Sequence, residues 1–350
     1  MFPLHRLARA YTGIIKSSQV IKGFKLRFTS EDLLAAAALV HQIVPPTQQY
    51  PWPLLAKHVG CEVWVKHENH TPTGAFKVRG GVIYLSALKT REPNCKGVIA
   101  ATTGNHGQSI ALAAKSLNLP SIIVVPEGNN PEKNRAMVAQ GSELIVHGQD
   151  FQEALEHAED LAHEHHMHMV PSFDPDLVKG VASYALELFQ NAGKLDSIYV
   201  PIGLGTGLCG LISVRNALNL KTELIGVQAE GAPSYALSFA SKKPVSTNRI
   251  DTFAAGLATR IPDIHAVDII NQNAARVITV SDAEILRAQA LLLRDTHNLS
   301  EPAGAAAYAG LLKERHLMSH KRVGIVLSGG NADIANVRAI AGIDLNSDDP

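Results

Sequence analysis

The feature that most constrains this chain is a series of short, almost wholly apolar runs spaced among longer amphipathic stretches. Ile122-Ile123-Val124-Val125 is the clearest. Four consecutive apolar side chains leave no face for water, so a strand there is buried on both sides, as in a parallel sheet. The same pattern predicts strands at residues 62–67, 98–101, 121–126, 143–147, 197–202, 223–229, 276–280 and 323–328. Between them, residues 108–117 and 151–163 carry helical periodicity. Thr29-Ser30 supplies a polar cap where ordered structure begins, and Ser281-Asp282-Ala283-Glu284 reads as a capping box opening a later helix. The class is α/β, with open, mostly parallel sheets flanked by helices. At 350 residues the chain can bury a large core in two domains, and it shows neither an internal repeat nor a low-complexity linker.

Charge and cysteine content exclude several roles. Lys+Arg and Asp+Glu are equal at 32 each, so nothing draws the chain as a whole to nucleic acid or anionic lipid. No apolar run approaches the roughly 20 residues that span a bilayer. Cys61, Cys95 and Cys209 are odd in number and lack CxxC spacing, which fits a reducing, cytoplasmic setting better than a disulfide framework or a zinc ribbon. The first residues carry Arg6, Arg9, Lys16, Lys22, Lys25 and Arg27, with no acid before Glu31. A transit peptide has that composition; we read residues 1–28 as a solvated basic arm.

Four loops carry the chemistry. In the first, Thr71-Pro72-Thr73-Gly74-Ala75-Phe76-Lys77, a lysine sits where a helix begins, facing the positive end of the macrodipole. That environment lowers an amine's pKa and favours it as a nucleophile. The second, Thr102-Thr103-Gly104-Asn105-His106, joins a strand to a helix and offers amides and hydroxyls to a carboxylate. In the third, Gly203-Leu204-Gly205-Thr206-Gly207-Leu208-Cys209-Gly210, the glycines satisfy GxGxxG, with Glu230 about 20 residues beyond, as a nicotinamide-dinucleotide fold requires. The same glycines also describe a nest for one phosphate monoester, and the motif alone does not decide. The fourth, Ser328-Gly329-Gly330-Asn331, ends the last strand and presents a hydroxyl.

Taken together and in this order, the four loops resemble the fold-type II pyridoxal 5'-phosphate (PLP) family, with its tryptophan synthase β-like fold. The branch is that of the serine/threonine dehydratases (threonine ammonia-lyases), which also holds serine racemase. The resemblance runs from about Thr29 to Ala341. It implies that Lys77 carries the cofactor, Phe76 packs on its ring and Asn105 bonds its hydroxyl. Gly203, Gly205, Thr206, Gly207 and Leu208 would cradle the phosphate. Ser328 would meet the ring nitrogen, Gly256 would lie on the other ring face, and Glu301 would sit near the ring edge. Thr102, Thr103, Gly104, Asn105 and His106 would hold the substrate carboxylate. The implied reaction is β-elimination, with L-threonine or L-serine passing to a 2-keto acid and ammonia and Lys77 taking the Cα proton. The dinucleotide reading then gives way. The implied domains are a large one, residues 29–96 with 172–350, and a small one, 97–171. A homodimer or homotetramer is implied as well.

Four departures set further expectations. Thr103 stands where serine racemase has a serine able to protonate Cα, which leaves racemisation open. Metal-binding relatives follow the glutamate matched by Glu230 with an aspartate, but Gly231-Ala232-Pro233-Ser234-Tyr235-Ala236 holds no second carboxylate, so no metal is expected. His157, His163, His165, His166 and His168 do not form HExxH and read as a solvated helix end. The segment 44–53 departs from the family's shorter sequence and is expected to reach the substrate, which leaves phenylserine and hydroxyaspartate open. The chain ends soon after Asn331, without room for a regulatory domain, so the resemblance implies a catabolic role.

Overall fold

The structure, a computed structural model, describes residues 26–345. Most of the basic arm, with Arg6, Arg9, Lys16, Lys22 and Lys25, lies outside the described residues. The strands are β1 Gln49–Pro51, β2 Glu62–His67, β3 Val98–Ala101, β4 Ser121–Val125, β5 Glu143–Val146, β6 His168–Met169, β7 Ser197–Pro201, β8 Glu223–Ala229, β9 Arg276–Val280 and β10 Arg322–Leu327. The helices before β7 are α1 Ser30–Val40, α2 Pro53–Val59, α3 Lys77–Arg91, α4 Asn105–Ser116, α5 Pro131–Ala139, α6 Phe151–Glu164 and α7 Pro175–Asn191. After it come α8 Thr206–Ala217, α9 Ser234–Ser241, α10 Ile264–Asn273, α11 Asp282–Thr296, α12 Pro302–Lys313 and α13 Ile334–Ala341.

Local chemistry accounts for most of these boundaries. Thr29 and Asp32 close a capping box on α1, as do Ser281 and Glu284 on α11, each satisfying amides that a helix start leaves without partners. The runs expected to be strands all form strands, with Pro126, His147, Ile202 and Ser328 falling just past the ladders. Two strands were not anticipated. β1 is three residues long and contains a proline, and β6 has two residues inside the histidine-rich stretch. Neither carries a period of its own; each forms because β2 or β3 offers it an open edge.

The strands make two sheets, ordered β1-β2-β10-β7-β8-β9 and β5-β4-β3-β6. Every pairing is parallel except β1 with β2. Residues 121–125 are buried throughout, as the unbroken apolar run 122–125 requires. One apolar cluster joins α2, α11 and α12 to the six-stranded sheet, and a second joins α7, α8 and α10 to it. A third joins α1, α3 and α4 to the four-stranded sheet. The first, third and fourth loops leave the carboxyl ends of the adjacent strands β2, β7 and β10. The second leaves β3 in the other sheet, where ligands of open α/β folds bind.

A buried ionic network anchors this region. Arg79, two residues after Lys77, is fully buried and donates to Glu68 Oε2 at 2.7 Å and to Glu187 Oε1 at 2.5 Å. Lys66 Nζ donates to Glu187 Oε2 at 2.5 Å and to the Thr47 carbonyl at 2.7 Å. The segment 44–53 is therefore committed to β1 and to this network, and none of its residues lines the cleft described below. The expectation that it reaches the substrate is corrected.

Candidate active site

A cleft of ≈1250 Å³ opens at the carboxyl ends of these strands, larger than the about 300–1,000 Å³ common for a single small ligand. It gathers Phe76, Lys77, Thr102, Thr103, Gly104, Asn105, His106, Gly203, Gly205, Thr206, Gly207, Gly256, Glu301 and Ser328. Leu208 is the exception. Its side chain is wholly buried in the apolar core against α7 and α10, so only its backbone amide is left to serve a ligand.

Lys77 is the first residue of α3, and the first loop is pinned to the fourth around it. Phe76 N donates to Ser328 O at 3.1 Å, and Ala75 bridges Gly329. The side chain is half-buried, its amine end being the enclosed part, and Nζ donates to Thr206 Oγ1 at 3.2 Å. Burial pushes the amine down to about 8. Desolvation disfavours the ammonium, and Lys77 also stands at the start of α3, where the sequence placed it.

The glycine loop is shaped for one phosphate. Gly205 has φ +95°, a left-handed conformation that favours glycine. A Cβ on Gly203 would stand 2.4 Å from the Gly256 carbonyl, so the two glycines form facing walls. The first bond of α8 runs from Cys209 N to Gly205 O at 2.9 Å. The amides of Thr206, Gly207 and Leu208 therefore project ahead of the helix, where an anion is favoured. Glu230, the ribose-binding acid of the dinucleotide reading, instead pairs with Lys313 at 3.2 Å and does not line the cleft.

The amide of Asn105 ties the second loop to the others. Asn105 Nδ2 donates to Glu301 Oε1 at 2.6 Å, while Asn331 Nδ2 donates to Asn105 Oδ1 and to Thr73 O, both at 2.8 Å. Burial raises the Glu301 carboxyl above its ordinary range. Thr102 Oγ1 accepts from Gly104 N at 3.1 Å, bracing the turn, and Thr103 is half-buried on the cleft wall.

Sequence reasoning missed several supports. Tyr184 OH donates to Gly207 O at 2.8 Å and Tyr235 OH to Leu204 O at 2.9 Å, so two buried tyrosines hold the phosphate loop from behind. Asn331 was visible in the fourth loop, but its bonds span 226 and 258 positions and no local pattern encodes them. Lys133, Arg249 and Arg260 also line the cleft. The histidines are dispersed: His157 stacks on His147, and His168 bonds Tyr84. No group of three or more His, Cys, Asp or Glu able to hold a metal occurs among the described residues.

An enclosed lysine amine, a three-amide nest sized for a phosphate monoester and an apolar ring beside them fit PLP, and they define a PLP enzyme of fold type II. The chain belongs to the pyridoxal-phosphate dependent enzyme family, whose model matches residues 40–329. It is 34% identical over 307 residues to the L-threo-3-hydroxyaspartate ammonia-lyase of Saccharomyces cerevisiae, covering 87% of this chain and 94% of that one. It is 34% identical over 286 residues to the L-threonine ammonia-lyase of Geobacter sulfurreducens, covering 81% of this chain and 71% of the relative. The processed form of threonine deaminase isoform 2 from Solanum lycopersicum has a similar structure. Its TM-score is 0.83 at 26% identity, over 91% of this chain and 96% of that one.

Proposed function

We propose that the protein is an ammonia-lyase for small β-hydroxy amino acids, acting on L-threonine or L-serine by loss of water to yield a 2-keto acid and ammonia. The observation that carries this reading is the enclosed Lys77 amine, lowered to about 8, in one cleft with the amide nest of α8 and the loop 102–106. When bound, PLP supplies an aldehyde that takes up the substrate amine and a ring that draws electrons from Cα. Lys77 would hold it, Phe76 and Gly256 would flank its ring, Asn105 would serve its hydroxyl with Glu301 nearby, and Ser328 would meet its nitrogen. Gly203, Gly205, Thr206, Gly207 and the Leu208 amide would hold its phosphate. Thr102, Thr103, Gly104, Asn105 and His106 orient the substrate carboxylate. Lys77 Nζ then removes the Cα proton as general base. Residues 97–171, which contain the whole four-stranded sheet, act as a small domain closing on the rest, residues 29–96 with 172–350, to exclude water.

The test is release of 2-keto acid from L-threonine, L-serine, L-phenylserine and L-threo-3-hydroxyaspartate by the PLP-loaded protein, with D-serine assayed in parallel. Keto acid from none of the four would overturn the reading, and D-serine as the main product would make the protein a racemase.

A specific observation favours hydroxyaspartate as a second reading. Lys133, Arg249 and Arg260 line the cleft, and none has a hydrogen bond or ion pair from its side chain among the described residues. Lys133 Nζ lies 3.6 Å from where a Cβ on Gly104 would stand, beside the carboxylate loop. A second substrate carboxylate would meet a cation there, worth about 1.5–3 kcal/mol. Lys133→Met is then expected to lower kcat/KM for hydroxyaspartate about 10–100-fold while changing threonine by less than about threefold. Equal losses on both substrates would remove Lys133 from specificity.

The described cysteines are free thiols, which supports a reducing, cytoplasmic setting, and no helix among the described residues is long and apolar enough to cross a membrane. A homodimer or homotetramer belongs to the same reading; light scattering that gave the mass of a single chain would rule it out.

A further inference from the structure

We propose that His106 is a positioning residue for the base, its Nε2 accepting an N–H from Lys77 when that amine is charged. The inference rests on Lys77 being the base, as proposed above, but its first test needs no turnover. His106 is the second residue of α4, is 9% exposed and lines the cleft. Ser109 lies three residues on, hence on the same helix face, and its Oγ donates to Lys77 O at 2.7 Å. That contact turns the face carrying His106 toward Lys77. The imidazole is bonded to the Pro171 backbone on one side, while Nε2 is buried with no partner among the described residues.

A buried acceptor without a donor is destabilising, so its retention needs a reason. The lysine provides one. Burial, and after it the positive charge of Lys77, push His106 down to about 3, so its ring stays neutral and Nε2 keeps its lone pair. No charged group shifts Lys77, on which burial alone acts. Of the other titratable groups around the site, burial holds Tyr184 and Glu301 toward their neutral forms, and Lys133 lies against Gly104, two residues before His106, where its charge acts on Glu301.

The proton balance is simple. The Cα–H bond breaks, its electron pair stays with carbon, and the proton goes to Lys77 Nζ. The –NH₃⁺ so formed has three N–H groups. Thr206 Oγ1, the partner seen here, takes one, and His106 Nε2 takes another. Both bonds are made to the charged form, so they favour it and direct it toward the reacting carbon.

The first measurement is acetic anhydride labelling of Lys77 in the full-length, PLP-free protein as a function of pH, read by peptide mass spectrometry. The native protein should show a midpoint near 8. His106→Leu should lower it by about one pH unit, because the ammonium loses an acceptor, and His106→Gln, which keeps a carbonyl acceptor, should restore most of the shift. With PLP bound, the leucine variant, which keeps the backbone amide offered to the substrate carboxylate, should lose about tenfold in kcat. An unchanged labelling midpoint in a folded leucine variant would overturn the proposal, even if turnover fell. The native protein offers an independent check if that variant does not fold. With ¹⁵N-labelled histidine, the Nε2 resonance of His106 should move as pH crosses about 8, and a flat response would equally dismiss the idea. Loss of turnover in Lys77→Ala bears on the base itself, so the two failures are separable.

Discussion

Lys77→Ala is expected to abolish 2-keto acid release, with turnover falling by at least the about 10²–10⁴-fold that a positioned general base supplies. The loss should be larger than at any other cleft residue, because one amine serves two purposes. In the proposed reaction it is the nucleophile that holds the cofactor aldehyde, and it then moves the Cα proton. Both need a neutral amine, and burial, by lowering the amine to about 8, makes that form accessible near neutral pH. Borohydride treatment of the PLP-loaded native protein should add a pyridoxyl mass to the peptide containing Lys77 and none to the alanine variant. Turnover above a tenth of the native value in Lys77→Ala would falsify the assignment. A pyridoxyl adduct on another lysine would place the cofactor elsewhere.

The second large effect falls on stability, at a residue that touches nothing in the cleft. Glu187 accepts from Arg79, from Lys66, from the Thr47 amide and from His41. Burial alone would raise its carboxyl, but the Arg79 guanidinium and the Lys66 ammonium hold it below the ordinary range. Glu187→Leu leaves two buried cations short of a counter-charge. It should reduce the unfolding free energy by about 3–5 kcal/mol and the melting temperature by roughly 5–10 °C. Adding Lys66→Met should recover part of the loss, because the deficit is charge and not volume. The acid dependence has a definite sign. A carboxyl depressed on folding contributes stability that is present above its unfolded value of 4.5 and lost as pH falls through the folded one. The leucine variant should therefore lose less stability than the native protein below about pH 4.5. A variant melting within about 2 °C of the native protein would show that the network is dispensable.

The sequence alone determined what a few neighbouring residues can encode. Apolar runs such as 122–125 have no wet face and so became buried parallel strands, and Thr29 and Ser281 capped helices because a helix start leaves amides that a hydroxyl can satisfy. The four loops could be read because each lies where a strand ends and a helix or turn begins. Tertiary structure decided the rest, and the physical reason is separation along the chain. The bonds of Asn331 to Thr73 and Asn105, the pairing of Glu187 with Lys66 and Arg79, and the approach of Lys77 to Thr206 each join residues more than a hundred positions apart. Helical and strand periods carry no information over that distance. The same limit explains the corrections. Segment 44–53 was taken up by a sheet edge, the Leu208 side chain packs in the core and leaves its amide to the loop, and burial, which no local pattern encodes, lowers the Lys77 amine.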